Sequence, residues 1–139
     1  MQAFIVEGSN RPGEFAQLCS KAAARGINLF ALCIGLGDRG GAAFLSQDEA
    51  GLRSAFDDAG VAFREVPVLT IAMDDRPGTA ATAAQRLADA GVNIELFVPL
   101  TMRDGKATIA VGVDKIEDAR RALGDQLTEW TAATAATAR

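Results

Sequence analysis

The sequence predicts an α+β protein built from two tandem βαββαβ units, each an antiparallel sheet with its helices on one face. Two observations carry that expectation. The first is an internal repeat: Arg11-Pro12-Gly13 recurs as Arg76-Pro77-Gly78, a shift of 65 residues. The same shift carries Gly26-Ile27-Asn28 onto Gly91-Val92-Asn93, and Gly40 with Ala42 onto Gly105 with Ala107. One constant offset across three separated motifs marks a duplicated unit. The second is that hydrophobic periodicity changes in the same order within each copy, from strand-like to helix-like and back. An inserted residue is needed only to bring 52–56 into line with 119–123.

Each element follows in turn. Residues 2–7 and 68–73 are apolar and β-branched runs that read as opening strands. A polar loop with Pro-Gly follows, then an amphipathic helix. Phe15, Leu18, Cys19 and Ala22 fall at i, i+3, i+4 and i+7, and Ala80, Ala83, Ala84 and Leu87 are their counterparts. The helices are expected to end at Gly26 and Gly91, where positive φ is favoured. Second strands lead into turns at Gly37-Asp38-Arg39-Gly40-Gly41 and Arg103-Asp104-Gly105-Lys106. The glycine-rich first turn lacks the Lys-Ser/Thr of a phosphate loop and precedes a strand, so it reads as a hairpin. Second helices are expected over 49–59 and 115–126. The first copy closes with a strand at 61–65 that ends at Pro67. In the second, the three-residue spacing of Leu127 and Trp130 suits a helix better than a strand, with Trp130 capping the core. Domain limits are set at 1–66 and 67–130, and 131–139 is an Ala/Thr tail expected to be disordered.

Composition narrows the function. The chain has 139 residues, a formal charge of −4, and neither histidine nor tyrosine. Without histidine there is no Ser-His or Cys-His pair and no imidazole ligand for a metal. The acidic balance and scattered Lys and Arg argue against nucleic acid. No segment approaches the roughly 20 apolar residues of a membrane helix, and no basic segment precedes the first apolar run, so a cytoplasmic protein is expected. Cys19 and Cys33 read as two buried free thiols, without the spacing or third soft ligand that zinc needs.

The βαββαβ order is the ferredoxin-like arrangement, which hosts many functions. The loops are more specific. Asp75-Arg76-Pro77-Gly78, followed by Gly91-Val92-Asn93-Ile94, resembles the signature of ACT domains. The first copy matches at Arg11-Pro12-Gly13 and Gly26-Ile27-Asn28-Leu29, with Asn10 where the family has Asp, and the resemblance spans residues 2–127. It implies a non-catalytic regulatory protein that binds an amino acid or related metabolite, forms a homodimer and governs a metabolic enzyme. It also implies side-by-side pairing, with ligand where the Pro-Gly loop of one unit faces the second strand of its neighbour. The positions so marked are Asn10, Gly13, Glu14 and Phe15 with Ser9, then Asp74, Asp75, Gly78, Thr79 and Ala80. Asn28 and Asn93 are the facing positions.

These residue types suit a zwitterion. A helix N-terminus offers unpaired N–H groups and a positive dipole end to a carboxylate. Proline fits a first helical position, and glycine removes a Cβ from the approach. Asp74, Asp75 and Asn10 are acceptors for an ammonium group. No cofactor or covalent step is required. The same residues are also ordinary caps and turn formers, and duplication together with the paired Gly-x-Asn is what favours a site. Because Phe15 is expected to fill space where Ala80 leaves room, the loop at 75–80 is expected to be the better occupied. The strand at 27–36 is apolar on both faces, which points to burial against a second copy or within the chain. Two rivals stand beside this reading: an ACT-type interaction module without ligand, and an acylphosphatase-like hydrolase using Arg11 and Asn28. An RNA-recognition module lacks its paired aromatics.

Overall fold

The structure, a computed structural model, describes residues 1–131, so the expected disorder of the tail beyond them lies outside the described residues. Two compact units divide the chain, Gln2–Val66 and Pro67 onward with Met1.

The first unit runs β1 (Gln2–Ser9), α1 (Glu14–Ala23), β2 (Phe30–Leu36), β3 (Arg39–Leu45) and α2 (Glu49–Asp58), then the start of β4 (Arg64–Asp74). Its strand order is β2-β3-β1-β4, with β1 and β2 both antiparallel to β3. Phe4, Phe44 and Phe56 are fully buried between strands and helices. The Phe44 and Phe56 rings meet edge to face at 5.3 Å, a favoured aromatic geometry. The second unit uses the rest of β4, then α3 (Thr79–Asp89), β5 (Ile94–Arg103), β6 (Lys106–Val113), α4 (Ile116–Ala122), a short 3-10 turn and β7 (Leu127–Thr128). Its order is β5-β6-β4-β7, and its core is aliphatic, centred on Ile71, Leu87, Val111, Val113 and Leu123. Both units therefore repeat one βαββαβ plan.

Three expectations change. The strands placed at 61–65 and 68–73 are one strand, β4, which runs through Pro67. Val61 lies outside the strand, its N–H closing the end of α2 on the Phe56 carbonyl, and it packs with Phe63 on the core. The second unit does close with a strand: Leu127 and Thr128 pair with Ile71 and Thr70, and the Thr70 hydroxyl donates to the Thr128 carbonyl at 2.6 Å. Trp130 is buried, at 9% exposure. The third change concerns the thiols, since Cys19 is half-buried and Cys33 exposed. Cys33 lies on β2, which is bonded to β3 on one side only and has residues 31–36 open to solvent. Residues 31–36 of β2 are therefore not covered by the other described residues.

Candidate functional site

Both Arg-Pro-Gly loops fold alike, and in a way the sequence reading missed. Glu14 N–H donates to the Arg11 carbonyl at 3.3 Å, and Gly13 has φ 90° and ψ −18°. Thr79 N–H donates to Arg76 at 3.4 Å, with Gly78 at φ 94° and ψ −20°. Proline at the second position and a left-handed glycine at the third make type II turns. The prolines thus precede their helices instead of opening them, and the glycines serve as N-caps. An added Cβ at either glycine would meet open space, so backbone conformation, not ligand clearance, is what calls for glycine there.

In the first unit this turn borders a cavity of about 180 Å³. That is below the ~300–1,000 Å³ of pockets for drug-sized ligands, so it suits a small metabolite. One wall is the loop from Gly8 to Arg11 with the first turn of α1. The other is β2 at Cys33 and Gly35, with β3 at Gly40, Gly41 and Ala42. Side chains of Val6, Phe15, Leu18, Cys33 and Ala42 give it an apolar lining. Phe15 does not fill the space: its ring stacks on Phe44, centroids 5.9 Å apart and planes 15° from parallel. α1 has no side-chain cap. Glu14 N–H is used by the turn and Gln17 N–H reaches Gly13 O at 2.9 Å, which leaves the Phe15 and Ala16 amides as the open donors of the first turn.

The polar groups are already arranged around one another. Asn10 Nδ2 donates to the Gly37 carbonyl at 2.9 Å, and Asn10 N–H donates to Asp38 O at 2.9 Å. Its amide lies so close to Gly35 that a Cβ there would stand 2.6 Å from Nδ2. Glu14 accepts from Arg11 at 3.0 Å and from the Ser9 hydroxyl at 3.4 Å. Glu7 pairs with Arg39 at 3.4 Å and with Arg64 at 3.9 Å. Burial, and after it the neighbouring Cys33, push the Cys19 thiol pKa up.

Of the marked residues, Asn10, Glu14 and Phe15 line this cavity, and Gly13 shapes the turn beside it. Asn28 does not line it: the residue is exposed, and its carbonyl accepts from the Ser46 hydroxyl at 2.9 Å. The second-repeat residues belong to the other unit. There Asp74 is held by Lys106 and by Arg76 at 3.6 Å, and the hydrogen bond from Lys106 keeps its carboxyl below the usual range. Thr79 donates its hydroxyl to the Asp74 carbonyl at 2.8 Å. Asp75 donates its N–H to Gly105 O at 2.9 Å and, like Gly78 and Ala80, is exposed. Asn93 donates its side-chain amide to Glu95 at 3.1 Å. Sequence reasoning missed the contributions of Val6, Leu18, Cys33 and the Gly35–Gly40 approach. The run of glycines across the β2–β3 hairpin was the available signal.

The chain is an α+β protein whose mostly antiparallel strands and four helices match an ACT-type, ferredoxin-like fold. Among solved structures it is similar to protein BT0572 from Bacteroides thetaiotaomicron, at a TM-score of 0.76 and 20% identity over 96% of this chain and 93% of that one. The regulatory subunit of aspartate kinase from Thermus thermophilus, in its ligand-free form, is similar at 0.61 and 19% over 90% of each chain. Aspartokinase alpha and beta subunits are similar at 0.63 and 20%, over 89% of this chain and 90% of that one. At these identities the likeness is one of fold. No protein-family model matches the sequence, and no curated protein does.

Proposed function

We propose that this chain is a non-catalytic regulatory protein of amino-acid metabolism that binds a free amino acid in the first-repeat cavity. The observation that carries this reading is the meeting, at one small cavity, of an open amide in the first turn of α1, carboxylate and amide acceptors, and an apolar wall. The open amide of Phe15, a lining residue, is suited to the ligand carboxylate. Glu14 and the Asn10 carbonyl oxygen are suited to its ammonium group. Nothing in that set calls for a nucleophile or a proton shuttle, and the sequence has no histidine to supply one. The protein acts in the cytoplasm as a homodimer, and amino-acid occupancy sets its hold on an enzyme partner. The fold it shares with aspartate kinase regulatory subunits supports that assignment.

Thermal melting of the full chain against each of the twenty amino acids tests the reading. Ligand at 100 times its dissociation constant stabilises by about 2.7 kcal/mol, a rise of several degrees for a protein of this size. A selective rise is expected. No rise with any amino acid would leave the interaction module without ligand as the better account.

A further inference from the structure

The walls of the first-repeat cavity also restrict what side chain its ligand carries. Resting on the amino-acid reading above, we infer that the ligand is a neutral amino acid with a small apolar side chain, such as valine, leucine or methionine, held between Phe15 and Cys33. Three features lead there. Each charged side chain at the cavity already has an opposite charge: Glu14 has Arg11, and Glu7 has Arg39 and Arg64. The α-ammonium shares Glu14 with Arg11, and the remaining charged lining residue, Glu7, is held by two arginines, so the lining keeps no charge in reserve for a charged ligand side chain. The surface left for the side chain is Val6, Leu18, Phe15, Cys33 and Ala42, which offers contact area and only a weak thiol donor. A hydroxyl or amide placed there would lose water without gaining a partner. The cavity, about 180 Å³ and open on one side, matches a side chain of leucine's size better than an indole.

Phe15 is the residue that sets this specificity. It is 37% exposed and stacked over Phe44, so its outer edge is free to cover an apolar ligand. Truncating it removes contact area and also uncovers one face of the buried Phe44 ring, so the fold of the variant is checked beside its binding.

Isothermal titration of the full-length chain with L-valine, L-leucine, L-methionine, L-lysine, L-aspartate, L-serine and L-tryptophan decides the matter. Binding by the first three, and by none of the others, is the expected result. Phe15→Ala should then weaken leucine about tenfold while far-ultraviolet circular dichroism stays unchanged. Ala80→Phe in the second repeat should leave leucine affinity as it was. Binding of lysine, aspartate, serine or tryptophan in place of the apolar set would overturn the inference and keep the amino-acid reading. Leucine binding that survives Phe15→Ala and is lost in Ala80→Phe would overturn the assignment to this cavity. Binding by none of the seven would overturn the inference, and a melting temperature unmoved by all twenty amino acids would bring down the reading beneath it as well.

Discussion

Glycine at 35 and asparagine at 10 act as one unit. The Asn10 amide reaches the Gly37 carbonyl only because position 35 has no Cβ, and one placed there would lie 2.6 Å from Asn10 Nδ2. Gly35→Ala therefore displaces the Asn10 side chain, breaking an exposed hydrogen bond worth about 0.5–1.5 kcal/mol and moving the acceptor proposed for the ammonium. Gly35→Ala and Asn10→Ala should each weaken amino-acid binding, and the double variant should be little worse than either single one. Titration of all three would show this, and additive losses would mean that the residues act separately. At this scale the sequence was only half legible. Arg-Pro-Gly could be recognised as a loop, but whether proline opens a helix or sits inside a type II turn depends on φ at Gly13, and residue identity permits both.

The elements were easier to read than their ends. Helix faces came out in part: Ala22, Ala83 and Leu87 are fully buried and Leu18 and Cys19 pack on the core, whereas Phe15 and Ala80, in the first turns, are exposed. The strands at 61–65 and 68–73 appeared separate because proline demotes a strand, yet Pro67 lies within β4. β7 was hidden by its length of two residues, too short for any period to show. Phe15 was expected to fill its loop, and its stacking on Phe44 is a rotamer outcome that composition does not encode. A tie between elements makes a prediction here. Arg53 on α2 grips Glu65 on β4 through two bonds of 2.6 and 2.8 Å while lying 5.5 Å from the Phe4 ring centre. The hydrogen bonds from Arg53 hold the Glu65 carboxyl below its usual range, against an opposing effect of burial. A depressed carboxyl stabilises the fold above the unfolded value, about 4.3, and that contribution is lost as pH falls through the folded one. Glu65→Gln should melt lower than the parent protein at neutral pH, and the gap should close in acid. A gap that stayed constant from pH 7 to pH 3 would show that the ion pair is not its source.

Across the whole chain, the two repeats differ most in the strand that follows the first helix. β2 presents Leu32, Ile34 and Leu36 at 46%, 57% and 66% exposure, and its seven residues include no charge and no proline. Such an edge is a template for pairing with another chain. Its counterpart β5 contains Pro99 and two register irregularities, beside Ile94 and Pro99, and both features discourage edge pairing. Of the two outer strands only β2 lacks such features, and a single favoured edge suits a closed two-fold contact over a growing array, since an isologous interface uses up the same surface on both partners. In an antiparallel β2–β2 pair centred on Cys33, Leu32 of one copy faces Ile34 of the other and Leu36 faces Phe30, so lysines at 32 and 36 would replace apolar cross-strand pairs and stand diagonal to one another, opposing dimerisation. Leu32→Lys combined with Leu36→Lys leaves the described cavity lining intact, because neither residue contributes to it. Sedimentation at micromolar concentration should give a dimer for the parent chain and a monomer for the double variant. A parent chain that sediments as a monomer, or a variant that stays dimeric, would place the association elsewhere. If amino-acid binding also falls in the monomeric variant, the second copy contributes to the site, whereas unchanged affinity would confine recognition to the walls of a single first repeat.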